Sequence, residues 1–330
     1  MPLTASSGSP YARILGIGAA IPSRVVDNAE MCTFIDSSDE WIQQRTGIRE
    51  RRWVGEGETV ESLSLDAARA ALDHAGLAAT DVDTVIISTV SHLLQTPSLA
   101  AVVAAKLGTP DAAAFDISAA CAGFCYGLAQ ADALVRAGSS RHVLVIGAET
   151  LSEVTDTSDR STAFLFADGA GAAVVGPSEV PAIGPVVWGS DGTQSDAIEM
   201  NLPWDEALKA QERSVITMKG QPVFRWASGF IADAAQRALE VSGVNPDELD
   251  LFVPHQANNR ITDAMLRHLK LPASVTVART IQTLGNNSAA SIPIALTQLL
   301  SSGEAKSGDL ALVIGFGAGL VYAGQVITIP

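Results

Sequence analysis

Cysteine and histidine are scarce in this chain of 330 residues, with three of the first and five of the second. Cys32, Cys121 and Cys125 are too few and too unevenly spaced for a disulfide framework, and no CxxC pair or clustered histidine pattern offers a zinc site. A reduced, cytoplasmic protein without a metal is expected. Basic residues are outnumbered as well: 21 Lys and Arg face 36 Asp and Glu, for a formal net charge of −15. That balance argues against nucleic acid as a partner, because phosphate binding needs a net basic surface, and any acidic partner must find a local basic patch. Long apolar runs are also missing. Gly, Pro or a charge interrupts every hydrophobic stretch before it reaches membrane-spanning length, so no membrane partner is expected. Met1 to Pro10 is small and polar, with neither the basic start nor the apolar run of a targeting segment.

Apolar residues, in contrast, make up 47% of the chain, enough for an extended core. Their arrangement repeats. Ala67 to Ser88 (AARAALDHAGLAATDVDTVIIS) and Ala234 to His255 (AAQRALEVSGVNPDELDLFVPH) align without a gap. In each, an apolar helical pattern ends at a glycine suited to a helix C-terminus, Gly76 or Gly243, and an acidic turn leads into a short apolar strand. VLVIG (Val143 to Gly147) and ALVIG (Ala311 to Gly315) follow at nearly the same offset, about half the chain length. This grammar predicts a duplicated α/β chain whose central sheets are mostly parallel. The turn-rich segment GPSEVPAIGP, ending at Pro185, places the division near residues 180 and 181, giving halves 1–180 and 181–330 that form one interlocked unit.

Three segments carry candidate chemistry. FDISAACAGFCYG (Phe115 to Gly127) runs from a strand into a small-residue helix, with Cys121 where the helix begins. Backbone N–H groups and the positive end of the helix dipole favour a thiolate there, so Cys121 is a candidate nucleophile at neutral pH; a small buried hydrophobe is the competing reading. Cys125, one helical turn deeper, reads as core. His255 sits in DLFVPHQANNR, where a strand meets Pro254 and polar residues follow, a place for a catalytic imidazole or for a satisfied structural one. Asn286, in TLGNNSAASIP, precedes another small-residue helix and is either an exposed amide or an ordinary N-cap. GFGAG (Gly315 to Gly319) follows the last strand-like run and suits either an oxyanion hole or a tight turn. FADGAGAAVVG (Phe166 to Gly176) lacks the spacing of a dinucleotide or phosphate loop and reads as a packed turn.

Together these segments resemble the β-ketoacyl-acyl carrier protein synthase III family, the initiating condensing enzymes of type II fatty acid synthesis within the thiolase-like superfamily. DSSDEWIQQRTGIRER, DISAACAGF, DRSTAFLFADGAGAAVVG, VPHQANNRI, GNNSAASIP and GFGAG occur in family order and span nearly the whole chain. The resemblance extends to the starter-unit synthases of actinomycete polyketide pathways. It implies a thiolase-like αβαβα sandwich of two duplicated halves and a homodimer. It also implies that Cys121 is acylated by an acyl-CoA, that the backbone N–H groups of Cys121 and Ala318 form the oxyanion hole, and that His255 and Asn286 act on malonyl-acyl carrier protein. Elongating relatives use a Cys-His-His set and degradative thiolases a second, late cysteine; Asn286 and the absence of a late cysteine favour initiation from a coenzyme A primer. No metal or redox cofactor is implied, acyl-CoA being a substrate.

By the same resemblance Trp41 and Arg160 sandwich the adenine of CoA, while Arg45 and Asn258 make further CoA contacts. Arg225 and Arg260 match basic positions where the acidic carrier protein docks. Thr96 matches the position at which one subunit closes the acyl pocket of the other. Two residues depart from the pattern: Asn287 replaces the usual threonine, which puts the orientation of Asn286 in question, and Ala318 stands where glycine is common and is compatible with the role if its φ stays negative. The alternatives are a starter-unit ketosynthase or acyltransferase of a polyketide pathway, and a non-catalytic partner subunit.

Overall fold

The structure, a computed structural model, describes residues 3, 6–109 and 111–330. Ten strands form two five-stranded sheets. The first is built from β1 (Tyr11–Ala20), β2 (Thr84–Ser88), β3 (Ala113–Ile117), β4 (Val143–Thr150) and β5 (Asp168–Ser178), in the order β1-β5-β4-β2-β3. The second is built from β6 (Val187–Ser190), β7 (Leu251–Pro254), β8 (Thr276–Val277), β9 (Leu310–Gly317) and β10 (Val321–Thr328), in the order β6-β10-β9-β7-β8. Each strand of one sheet has its counterpart in the other, in the same place.

Directions match too. In each sheet the two pairings at one edge are antiparallel and the two at the other are parallel. The expectation of mostly parallel sheets is therefore corrected: β10 doubles back from β9 across Ala318–Leu320 alone, too few residues for a parallel crossover, and β5 returns antiparallel to β4 in the matching place after a longer connection. The parallel part lies where helical crossovers are long enough. There β2 and β4 are buried throughout, which explains their unbroken apolar runs.

Four helices complete the repeat: α1 (Val60–Ala75), α2 (Gly123–Ala137), α3 (Phe230–Ser242) and α4 (Ser291–Ser302). Thr59 caps α1 by accepting from the Ser62 N–H, and Leu63, Ala67, Ala71 and Leu72 bury one face at helical spacing. Gly76 and Gly243 end α1 and α3 at φ 65° and 66°, the left-handed geometry that glycine adopts without a Cβ penalty. Outer helices cover each sheet: α1 packs with Leu99 and Val103 on Val85, Ile87 and Leu144, and α3 packs with Met265 on Phe252, Leu312 and Ile314. Between the sheets, Phe124 and Leu128 of α2 and Ile292 and Leu296 of α4 share one core with Val145 and Val313. The result is a five-layer αβαβα sandwich whose middle layer belongs to both halves.

Both middle helices start in the same way. A short 3₁₀ turn precedes each, Ala120–Ala122 before α2 and Ser288–Ala290 before α4. The first residue of each turn is held in the left-handed region without being glycine, at φ 44° for Ala120 and 46° for Ser288. Such strain persists only where surrounding packing dictates it, and it often marks a working site.

Candidate active site

A cavity of about 600 Å³ opens beside these two turns. Cys121, His255, Asn286, Ser288, Phe316 and Ala318 line its inner end, and Trp41, Arg45, Arg160, Arg225, Asn258 and Arg260 also lie on its wall. The sequence-predicted residues are thus gathered into one place, with the exception of Thr96. That residue is exposed on the surface and takes no part in the cavity of its own chain.

Cys121 sits in the 3₁₀ turn at the mouth of α2, as expected. Its ionisation is not as expected. Although part of the residue faces the cavity, the sulfur lies deep enough that burial pushes the thiol up to about 12; contact with Ser288 acts in the opposite direction and the nearby Glu149 carboxylate reinforces the rise. Desolvation outweighs the helix end, so the resting form is the thiol and its proton must leave during the reaction. Gly317 presses against this residue so closely that a Cβ there would stand 2.9 Å from Sγ and 3.0 Å from the Cys121 nitrogen. Ala318 follows with φ outside the left-handed region, so its side chain imposes no backbone strain. Cys125 is buried in the core, as read from the sequence.

His255 projects from the end of β7, 2% exposed, against the edge of the Phe316 ring at 5.3 Å. Its Nδ1 lies 2.7 Å from Ser291 Oγ, at the start of α4. That hydroxyl also accepts the Gln256 backbone N–H at 3.3 Å, which leaves its own proton for Nδ1. With the Ser291 hydroxyl donating, we assign Nδ1 as the acceptor and place the imidazole hydrogen on Nε2. Burial drives its pKa down to about 3, so it is neutral at physiological pH and acts as a hydrogen-bond donor. Ser291 escaped the sequence reading although it lies inside the quoted SAASIP motif, since a serine at a helix start reads as a cap.

Asn286 is fixed from three sides. Its N–H donates to Leu165 O and its carbonyl accepts from Ala167 N, both at 2.9 Å, while its side-chain Oδ1 accepts from Ser288 N at 3.0 Å. With the oxygen occupied, the amide N–H₂ is the end left for the cavity. None of these bonds involves the side chain of Asn287, whose amide lies toward Gly169.

At the outer end, the guanidinium carbons of Arg160 and Arg45 lie 4.8 and 5.1 Å from the centre of the Trp41 ring. Arg160 rests directly on the indole, which leaves no gap for an adenine; a sandwich requires this arginine to swing outward. Asn258 caps the helix Asn259–Leu269 through Arg260 N at 2.8 Å and donates to Arg45 O at 3.0 Å, so its side chain is already engaged in holding the wall. Among the described residues, Arg45, Arg160, Arg225 and Arg260 have no carboxylate within ion-pair distance. A highly acidic protein keeps four unpaired cations around one opening.

Residues 115–192 match the family profile of 3-oxoacyl-[acyl-carrier-protein (ACP)] synthase III, and residues 239–329 match that of its C-terminal part. A β-ketoacyl-[acyl-carrier-protein] synthase III of Streptomyces glaucescens is 56% identical over 98% of both chains. The chain belongs to this synthase III family. A mycobacterial member, from Mycobacterium avium, is 47% identical over 99% of this chain and 98% of its own. Among solved structures, the priming β-ketosynthase of the R1128 polyketide pathway superposes with a TM-score of 0.97 at 47% identity, covering 100% of this chain and 99% of the other. The Aquifex aeolicus synthase III gives 0.90 at 39% identity, covering 96% and 99%. The thiolase-like fold of the synthase III family is thus the fold described above, and the family is one of acyl-transferring condensing enzymes.

Proposed function

We propose that this synthase III joins an acyl group from acyl-CoA to malonyl-acyl carrier protein, giving 3-oxoacyl-acyl carrier protein and initiating type II fatty acid synthesis. One observation carries the assignment of roles. A thiol, a neutral Nε2–H donor and an amide N–H₂ donor, drawn from three distant segments, meet in one cavity behind a ring of unpaired arginines. In the first half-reaction Cys121 sulfur attacks the thioester carbonyl, the N–H groups of Cys121 and Ala318 hold the oxyanion, and CoA leaves as the C–S bond breaks. In the second, malonyl-acyl carrier protein loses carbon dioxide. His255 and Asn286 donate to the resulting enolate oxygen, its carbon attacks the acyl-cysteine carbonyl, and the Cys121 thiolate departs. Donors that are neutral suit this step, because a neutral imidazole stabilises the enolate without protonating its carbon. The scheme calls on no metal or redox cofactor, since loss of carbon dioxide drives carbon–carbon bond formation.

In this reading Trp41, Arg45, Arg160 and Asn258 hold CoA, and Arg225 with Arg260 receives the acidic carrier protein. Thr96 closes the acyl pocket of a second copy in a homodimer, which accords with its exposure on the single chain. The halves 1–180 and 181–330 are read as the products of duplication, the first supplying the nucleophile and the second the enolate donors. A polyketide starter-unit role is the second reading, favoured by the likeness to the R1128 priming ketosynthase. Mass spectrometry tests the first half-reaction: incubation with acyl-CoA should add the acyl mass to Cys121, and Cys121→Ala should add none. Supplying malonyl groups on fatty-acid and polyketide carrier proteins in parallel then separates the two readings.

A further inference from the structure

Acylation leaves a question of proton transfer. Cys121 rests as a thiol, and in the tautomer assigned above His255 is not the acceptor of its proton, since Nδ1 pairs with the Ser291 hydroxyl and Nε2 bears the hydrogen. Another acceptor stands behind the nucleophile. Glu149, near the end of β4, is completely buried, and its Oε2 accepts from Val90 N at 3.0 Å, Ser91 Oγ at 2.6 Å and Thr89 Oγ1 at 3.3 Å. Its other oxygen, Oε1, has no partner. Three donors on one oxygen suit a carboxylate and leave the second oxygen free as a base.

The side chain of Glu149 shares its sheet face with Val145, directed at the middle layer that holds both 3₁₀ turns. Gly147, on the same face, lets the Ser288–Ala290 turn settle onto the strand; a Cβ there would meet Ala289 O at 2.2 Å. That close approach, with the left-handed backbone of Ser288, brings the Ser288 hydroxyl beside both the Cys121 sulfur and the Glu149 carboxyl. The hydroxyl is buried and has no hydrogen-bond partner, as is also true of Glu149 Oε1. Two buried polar atoms left unpaired near a thiol are costly unless they are used.

We infer that Ser288 and Glu149 form a proton relay for the acylation step, with Glu149 acting through Ser288. As the bond between Cys121 sulfur and the acyl carbon forms, the S–H proton passes to Ser288 Oγ and the Ser288 hydroxyl proton passes to Glu149 Oε1. As the C–S bond to CoA breaks, the proton returns along the same hydroxyl to the departing thiolate. Apart from the Cys121 thiol, the groups facing the carboxyl are the hydroxyls of Thr89, Ser91 and Ser288 and the Val90 N–H. Burial raises Glu149 to about 7, which suits a group that accepts and returns a proton near neutrality.

The inference rests on Cys121 being the acylated residue. Its test compares the parent with Glu149→Gln and Ser288→Ala, measuring the single-turnover rate of Cys121 acylation by acyl-CoA and, separately, condensation by enzyme already loaded through prolonged incubation. Both variants should acylate about a hundredfold more slowly, the scale for losing general-base assistance. The parent acylation rate should rise with pH through an inflection near 7 that Glu149→Gln lacks. Condensation from the loaded state should fall far less than acylation, because acyl-Cys121 has no S–H to give up and only the thiolate released at the end of the step has to regain a proton. Acylation at the parent rate in either variant, or equal losses in both half-reactions, overturns the relay. A parent enzyme that takes no acyl group on Cys121 overturns the acylation reading itself and the relay with it.

Discussion

The Ser291 hydroxyl pairs with Nδ1 of His255 and leaves Nε2 as the nitrogen without that partner. Ser291→Ala removes the donor to Nδ1, frees the imidazole to exchange tautomers, and should lower condensation by about tenfold to a hundredfold while acylation stays within about twofold. The ¹⁵N shifts of His255 should move from a fixed Nε2–H form toward a mixture; a parent-like spectrum and rate would remove the role given to Ser291. Glu149 carries a cost of another kind. Its folded pKa lies above its unfolded value, so the stability it contributes is full below about 4.5 and is lost as pH rises through about 7. Glu149→Gln, which cannot ionise, should therefore gain in melting temperature over the parent at pH 8 and lose most of that gain at pH 5. A difference independent of pH would mean that the carboxyl is not strained by burial.

At the scale of elements, the Ser288–Ala290 turn is the part most sensitive to packing. Gly147→Ala would drive a methyl group into the Ala289 carbonyl and should destabilise the protein by about 1–3 kcal/mol, with condensation falling by at least tenfold as the turn carries Asn286 out of place. Unchanged melting and activity would show that the turn yields freely. This turn also marks the limit of what could be read from the chain. Gly76 and Gly243 announced their helix ends, and the two aligned segments announced α1 with β2 and α3 with β7, because caps and buried strands write local signatures. The settings of Cys121, His255 and Asn286, at strand ends or helix starts, made them candidates, but it was the family resemblance of their motifs that chose among the readings. Glu149 and Ser291 could not be chosen, since their partners lie far along the chain and only packing brings them together. The high pKa of Cys121 was missed for the same reason: a helix start is visible in sequence, but burial of the sulfur is not. Likewise the antiparallel edges of the sheets depend on connection geometry, which apolar patterning does not encode.

The molecule as a whole carries a net charge of −15, yet it concentrates unpaired arginine at the cavity opening. Reversing Arg225 and Arg260 together to glutamate should raise KM for the carrier protein by about tenfold or more, steeply at low salt, while acyl-CoA loading changes far less. Equal damage to both half-reactions would point to a disturbed fold instead. Under the proposed homodimer, in which Thr96 of one chain shapes the pocket of another, branched or longer primers such as isobutyryl-CoA should outcompete acetyl-CoA, and Thr96→Phe should reverse that order; a ratio of kcat/KM unmoved by the substitution would exclude this role. The matched turns at Ala120 and Ser288 have a further consequence, for descent. Two identical halves meeting as a symmetric pair must put the same residue at both turns, so a gain at one is bound to whatever it does at the other. On the proposed duplication, joining the halves in one chain would end that tie: one copy of the turn could keep a thiol at its second position while the other kept alanine there and a hydroxyl at its first, and division of labour between the two would be open to selection.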